Sequence, residues 1–158
     1  MRALTATGLT VGVLAGLWIW VSGMVGLPPW VAVIAWAGFF AAGGKAAGVV
    51  KMGLSGLVGV VWGWLAVLGA GLLAGWTGAL PVAVAVIAFL MCVQANWVHL
   101  SFIPGAFIGA ACLFGNELNV WTTAICIVVG VALGYVSEWS AAAITKKEPA
   151  PSASPAQA

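Results

Sequence analysis

Charge is what this sequence has least of. Five basic and three acidic residues among 158 amount to 5% charged, against 64% hydrophobic, where soluble domains carry about 25% charged residues. That scarcity excludes a water-soluble domain, and a net charge of +2 leaves no basic face for nucleic acid. There is a single histidine, His99, and the acids outside the C-terminal tail are the lone Glu117 and Glu138. Neither a carboxylate pair nor a zinc-ligand set can be assembled from them, so no metal site and no cofactor is expected. Cys92, Cys112 and Cys126 are odd in number, match no metal spacing and fall in apolar runs, where reduced cysteine serves as a small hydrophobe. No G-x-S-x-G, H-E-x-x-H or P-loop occurs, and an enzyme is not expected. Segments of alternating polarity, the mark of a membrane barrel, are missing too.

What is present is apolar length, with 22 Gly and 10 Trp. Spanning a bilayer core as a helix takes about 20 apolar residues, glycine permits close helix packing, and tryptophan anchors at the interface. The expected fold class is an all-α polytopic membrane protein of about six hydrophobic segments, in a single transmembrane domain over residues 1–145. Leu4 to Gly26 is the first segment; a basic start before an apolar run resembles a signal peptide, but the run is long enough to span. It carries Gly8, Gly12 and Gly16, a small-residue stripe for a close neighbour. After Pro28, Pro29 and the interfacial Trp30, Val31 to Gly44 makes a second segment of only 14 residues. Lys45 to Lys51 reads as a basic loop. Gly53 to Gly75 and Val82 to about Trp97 are the third and fourth segments, Phe102 to Gly115 a second short one, and Val120 to Ile144 the last. Residues 146–158, KKEPAPSASPAQA, hold too little apolar surface for a core and read as a disordered tail.

If every segment crosses, Arg2, the Lys45 to Lys51 loop and Lys146–Lys147 share one side, and the opposite loops contain no Lys or Arg. That is the positive-inside pattern, placing both termini and the tail in the cytoplasm. The two halves also correspond. Val58-Gly59-Val60-Val61-Trp62-Gly63-Trp64 and Val129-Gly130-Val131-Ala132-Leu133-Gly134-Tyr135 share V-G-V-x-x-G-aromatic at a spacing of 71. Segments two and five are each short and entered through proline, Pro29 and Pro104, with Phe39 and Phe114 at a spacing of 75. Three spans per half imply an inverted 3+3 repeat, in which short, Gly/Pro-interrupted segments mark the binding site. A helix stopping partway leaves backbone groups that only protein or trapped water can satisfy, and on this argument segments two and five are half-spans or re-entrant rather than full crossings.

The densest polar cluster within the apolar body is Gln94 to Gly115, QANWVHLSFIPGAFIGAACLFG. In one reading His99, Asn96, Gln94 and Ser101 line a pathway with Pro104, Gly105, Phe39 and Phe114 and exchange hydrogen bonds with a small polar solute, with imidazole making passage pH-sensitive. In the other these polar groups cap the headgroup-level end of the fourth helix. Glu117, with Asn116 and Asn119, reads as a pore mouth or as a solvated turn. Trp18-x-Trp20 and Trp62-x-Trp64 line a constriction or simply pack and face lipid.

At F-I-P-G-A-F-I-G-A-A-C-L-F-G (Phe102 to Gly115) and G-L-V-G-V-V-W-G (Gly56 to Gly63), the sequence resembles the small bacterial inner-membrane proteins grouped as domain-of-unknown-function family 1097. The resemblance covers most of residues 5–140. It implies a compact multi-pass protein of the inner (cytoplasmic) membrane and brings no activity or site residues with it. The resulting expectation is a channel or facilitator for a small neutral or weakly charged solute, such as urea, ammonia, a short amide or a small acid, working as a homo-oligomer in the lipid bilayer. The alternative is a non-transporting scaffold or accessory subunit packed through glycine-rich helix faces.

Overall fold

A computed structural model describes residues 3–145; Arg2, Lys146–Lys147 and the tail expected over 146–158 lie outside them. The described residues form six α-helices and no strand: α1 (Ala3–Val25), α2 (Pro29–Ala41), α3 (Lys45–Leu72), α4 (Ala79–Val93), α5 (Ile103–Gly115) and α6 (Val120–Ile144). Two single 3-10 turns, Gln94–Asn96 and Val98–Leu100, join α4 to α5. Four helices are long and apolar enough to cross a membrane, taking the fourth as Ala79–Asn96. The other two, α2 and α5, have 13 residues each, about 20 Å of helix against a hydrocarbon core of about 30 Å.

Proline sets where the short helices begin. Pro29 opens α2 and Pro104 is the second residue of α5, positions whose N–H would lack an intrahelical partner anyway. For the same reason Pro81 is accommodated in the first turn of α4, which begins at Ala79 rather than beyond the proline. Two further boundaries depart from the sequence reading. The basic stretch Lys45 to Lys51 is not a loop but the first two turns of α3, because the chain reverses within Ala42–Gly44 instead. Gly44, at φ 63° and ψ −164°, occupies a backbone region essentially reserved for glycine. The reversal is held from afar: Glu138 Oε2, on α6, accepts a hydrogen bond from the Lys45 backbone N–H at 2.6 Å, a carboxylate at a helix N-terminus. At the other departure, α4 stops at Val93, four residues short of Trp97.

The most extensive packing is α3 on α5 and α2 on α6, with α4 against α3 and α1 against α6 on the flanks. Close approach depends on absent side chains. A Cβ on Gly59 would overlap the Ala106 carbonyl, one on Gly109 the Gly56 carbonyl, and one on Gly130 the Ala32 carbonyl. α3 and α6 run antiparallel, since Gly56 lies by Ile127 while Gly44 lies by Glu138. The start of α1 reaches the end of α6, where Thr10 Oγ1 donates to the Ser137 carbonyl at 3.0 Å and Trp36 Nε1 to Ser137 Oγ at 3.1 Å.

Burial repeats between the halves. Val31, Ala32, Ala35, Gly38 and Phe39 of α2 are buried, as are Gly105, Ala106, Gly109, Cys112 and Leu113 of α5, each 74 residues later. Seven of the eight buried positions of α3 recur on α6 at a spacing of 71. Phe39 therefore matches Leu113, both fully buried, and not Phe114, which is 43% exposed; the short helices register at 74, one residue off the spacing the two phenylalanines give.

Candidate functional site

The break between α4 and α5 is fastened to α3 through its one buried residue, Gln94. Gln94 Oε1 accepts a hydrogen bond from Trp62 Nε1 at 2.7 Å. Trp62 is 17 residues from the start of α3 and 10 from its end, so it lies about 15 Å short of the Leu72 end. The end of α4 is thus fastened to α3 ten residues before the end of that helix.

Beside this bond lies a cavity of about 420 Å³ lined by Val58, Trp62, Leu90, Val93, Gln94, Asn96, Trp97 and Leu100. Its walls come from α3, α4 and the two 3-10 turns. Gln94 is 8% exposed, and its Nε2 has no hydrogen-bond partner among the described residues. A buried amide donor left unpaired costs about 1–3 kcal/mol, a penalty that persists in a fold only where something else satisfies the group or function requires it. Asn96, exposed at the rim, donates from Nδ2 to the Val93 carbonyl at 2.8 Å.

The remaining sequence-derived candidates scatter around this point. Ser101 Oγ donates back to the Val98 carbonyl at 2.8 Å and so closes the second turn. His99 is exposed on that turn and is not among the cavity walls. Pro104 is exposed at the start of α5, while Gly105 is buried, its Cα facing Ser55 and the Phe102 ring. Phe39 is core, packed on Gly48 and Gly134, and Phe114 lines a separate apolar cavity of about 190 Å³ between α3, α4 and α5. Glu117 stands in the α5–α6 turn at φ 53°, next to the cap in which Asn119 accepts from the Thr122 N–H at 3.1 Å. The paired tryptophans divide: Trp18 is buried and donates to the Pro29 carbonyl at 3.0 Å, Trp62 faces Gln94, and Trp20 and Trp64 point outward. The link from Trp62 to Gln94 was missing from the sequence reading. Its one signal is that Gln94 is a lone amide ending an apolar helix and needs a donor, which any of several tryptophans can supply.

A larger cavity, about 680 Å³, opens between α3 and α6, with walls that are apolar apart from Tyr135.

Residues 8–142 match the family described as a protein of unknown function, DUF1097. The chain belongs to the DUF1097 family. Among its curated relatives, the uncharacterized protein YahC of Escherichia coli K12 is 36% identical over 150 residues, covering 88% of this chain and 91% of the relative. The inner membrane protein YcdZ of the same strain is 32% identical over 92% of this chain and 93% of its own length. The inner membrane protein YcdZ of Salmonella typhimurium LT2 is 31% identical, with 85% of each chain covered. No solved structure gives a significant match. As a DUF1097 protein with four helices fit to span, the chain is a membrane protein whose family relatives include inner membrane proteins.

Proposed function

We propose that this protein is a channel or facilitator for a small neutral solute, with its path passing the break between α4 and α5. The observation that carries the reading is Gln94, buried against Trp62 of α3 beside a cavity, with an amide nitrogen that has no partner among the described residues. Interrupted helices at mid-depth are tolerated where they line a cavity and are where small solutes bind. No charged side chain lines the cavity, which favours a neutral solute over ion-coupled transport. The proposed role is passage without a chemical step.

In the same reading the halves are an inverted repeat in a multi-pass inner-membrane protein with cytoplasmic termini. The burial registers of 74 and 71 and the antiparallel run of α3 and α6 support the repeat. Lys45 lies at the bundle end shared by the start of α1 and the end of α6, which supports the orientation.

A second reading, a non-transporting subunit, draws on α1. Gly8, Gly12 and Gly16 have no atom within 4 Å of where a Cβ would stand, leaving a small-residue stripe for a partner helix, in a homo-oligomer or a larger complex. Stopped-flow shrinkage of proteoliposomes decides between them, using urea, acetamide, ammonium and acetate with wild type, Gln94→Ala and His99→Ala. Selective flux that falls in Gln94→Ala supports conduction through the break. No flux above empty vesicles for any solute rejects conduction and leaves the subunit role.

A further inference from the structure

Trp36 and Ser137 form a buried pair that the second half of the chain does not repeat. At the registers that relate the buried faces, 74 for the short helices and 71 for the long ones, Trp36 corresponds to Ala110 and Ser137 to Ala66. In the first half the Trp36 ring is buried, its Nε1 donates to Ser137 Oγ at 3.1 Å, and Thr10 of α1 meets the Ser137 carbonyl. In the second half both counterparts, Ala66 and Ala110, stand on the walls of the cavity of about 190 Å³ between α3, α4 and α5. Where one half seats a ring, the other has room for one. The walls are apolar throughout; Phe107 and Phe114 are exposed on the bundle surface while Met91 and Ala66 are buried, so the space reaches inward from that surface.

We infer that this cavity binds a small aromatic hydrocarbon of benzene or toluene size, seated where the first half holds the Trp36 ring. An apolar cavity of about 150 Å³ takes up benzene, so the volume suffices. Lipid tails are as apolar as the walls, and the gain is therefore one of packing, since a void leaves its lining without partner atoms. Phe107, Phe114 and Met91 on the walls favour a ring over a methylene chain, through aromatic and sulfur contacts. The polar half of the first pair is missing. Ser137 Oγ donates to the Gly134 carbonyl at 2.8 Å and accepts from Trp36, whereas Ala66 offers no side-chain acceptor. A ring carrying N–H or O–H would bury that donor unpaired, which selects the hydrocarbon over indole or phenol. The site shares no wall residue with the cavity beside Gln94 and stands apart from conduction.

Fluorine NMR on the full chain in lipid nanodiscs tests this, with fluorobenzene and fluoroindole as probes and protein-free discs as the reference. Fluorobenzene is expected to show a protein-dependent shift or broadening that excess toluene removes, and fluoroindole a weaker one. Ala110→Trp supplies the ring of the first half and is expected to abolish the fluorobenzene signal. Ala66→Ser supplies the missing acceptor and is expected to tighten fluoroindole binding roughly three- to tenfold, the effect of one added hydrogen bond, with fluorobenzene little changed. It decides the matter if Ala110→Trp does not fold. Fluorobenzene held no better than by protein-free discs, or held equally by Ala110→Trp, overturns the inference and leaves the space to lipid tails. A fluoroindole affinity that Ala66→Ser leaves unchanged overturns it too.

Discussion

Replacing Gly59 by Ala adds one methyl group where α3 meets α5. That carbon would sit 2.7 Å from the Ala106 carbonyl carbon and 2.8 Å from its Cα, and closer still to the oxygen, whereas carbon atoms rest at about 3.5–4.0 Å. Backbone cannot rotate aside as a side chain can, so α5 must back away from α3 by about 1 Å. A gap of that size forfeits up to half the dispersion energy of each atom pair across the interface, and overpacking of this kind costs about 1–3 kcal/mol. The upper part of that range is expected, because α3 on α5 is among the two largest contacts in the fold. For a chain of this length that amounts to a fall of roughly 5–10 °C in the melting midpoint, read from the monodisperse peak surviving a heating series in detergent. Gly130→Ala, facing the Ala32 carbonyl and 2.8 Å from Ala35 Cβ, is expected to cost as much. Gly12→Ala, with open space around it, is expected to be neutral or to gain up to about 1 kcal/mol of helix propensity. A Gly59→Ala protein that melts with wild type, or a Gly12→Ala protein that falls equally, would refute backbone contact between these helices.

Gly44→Ala imposes a side chain on a backbone region that costs about 1–3 kcal/mol and places Cβ 2.8 Å from Glu138 Oε2; its melting midpoint is expected to drop, and Glu138→Ala is not expected to restore it. Ser137→Ala strands the Nε1 donor of Trp36, a residue only 4% exposed, at about 1–3 kcal/mol. Adding Trp36→Phe is expected to cost less than the two single changes summed, which a double-mutant cycle in the same melting assay reads directly. Ser55 Oγ is buried with no partner among the described residues, so Ser55→Ala is expected to hold or raise the midpoint.

Class and segment order were legible in the sequence because apolar length and proline act locally. Six segments, their approximate ends and the brevity of the second and fifth all follow from those two signals. Faces were not legible. In a soluble protein apolar periodicity separates core from water, but in a bilayer lipid and interior are equally apolar. Nothing in the letters therefore told Trp18 from Trp20, or the packed Gly59 and Gly130 from the unpartnered Gly8, Gly12 and Gly16. The basic loop was misplaced because lysine was taken as a sign of solvent, whereas its long stem lets Lys45 and Lys51 ride on the first turns of a helix. The capping carboxylate of Glu138 is 93 residues from Lys45, a distance no local pattern spans. The bond that holds Gln94 to Trp62, 32 residues away, was not legible for the same reason: it is tertiary.

The most direct measurement uses Asn96→Cys in a Cys92→Ala background, Cys92 being exposed and Cys112 and Cys126 buried. A membrane-impermeant, charged thiol reagent is added to proteoliposomes and acetamide flux is followed before and after. Conduction through the break requires that the reagent reach position 96 and that its bulk stop the flux. An unlabelled cysteine, or a labelled one with flux unchanged, would contradict it.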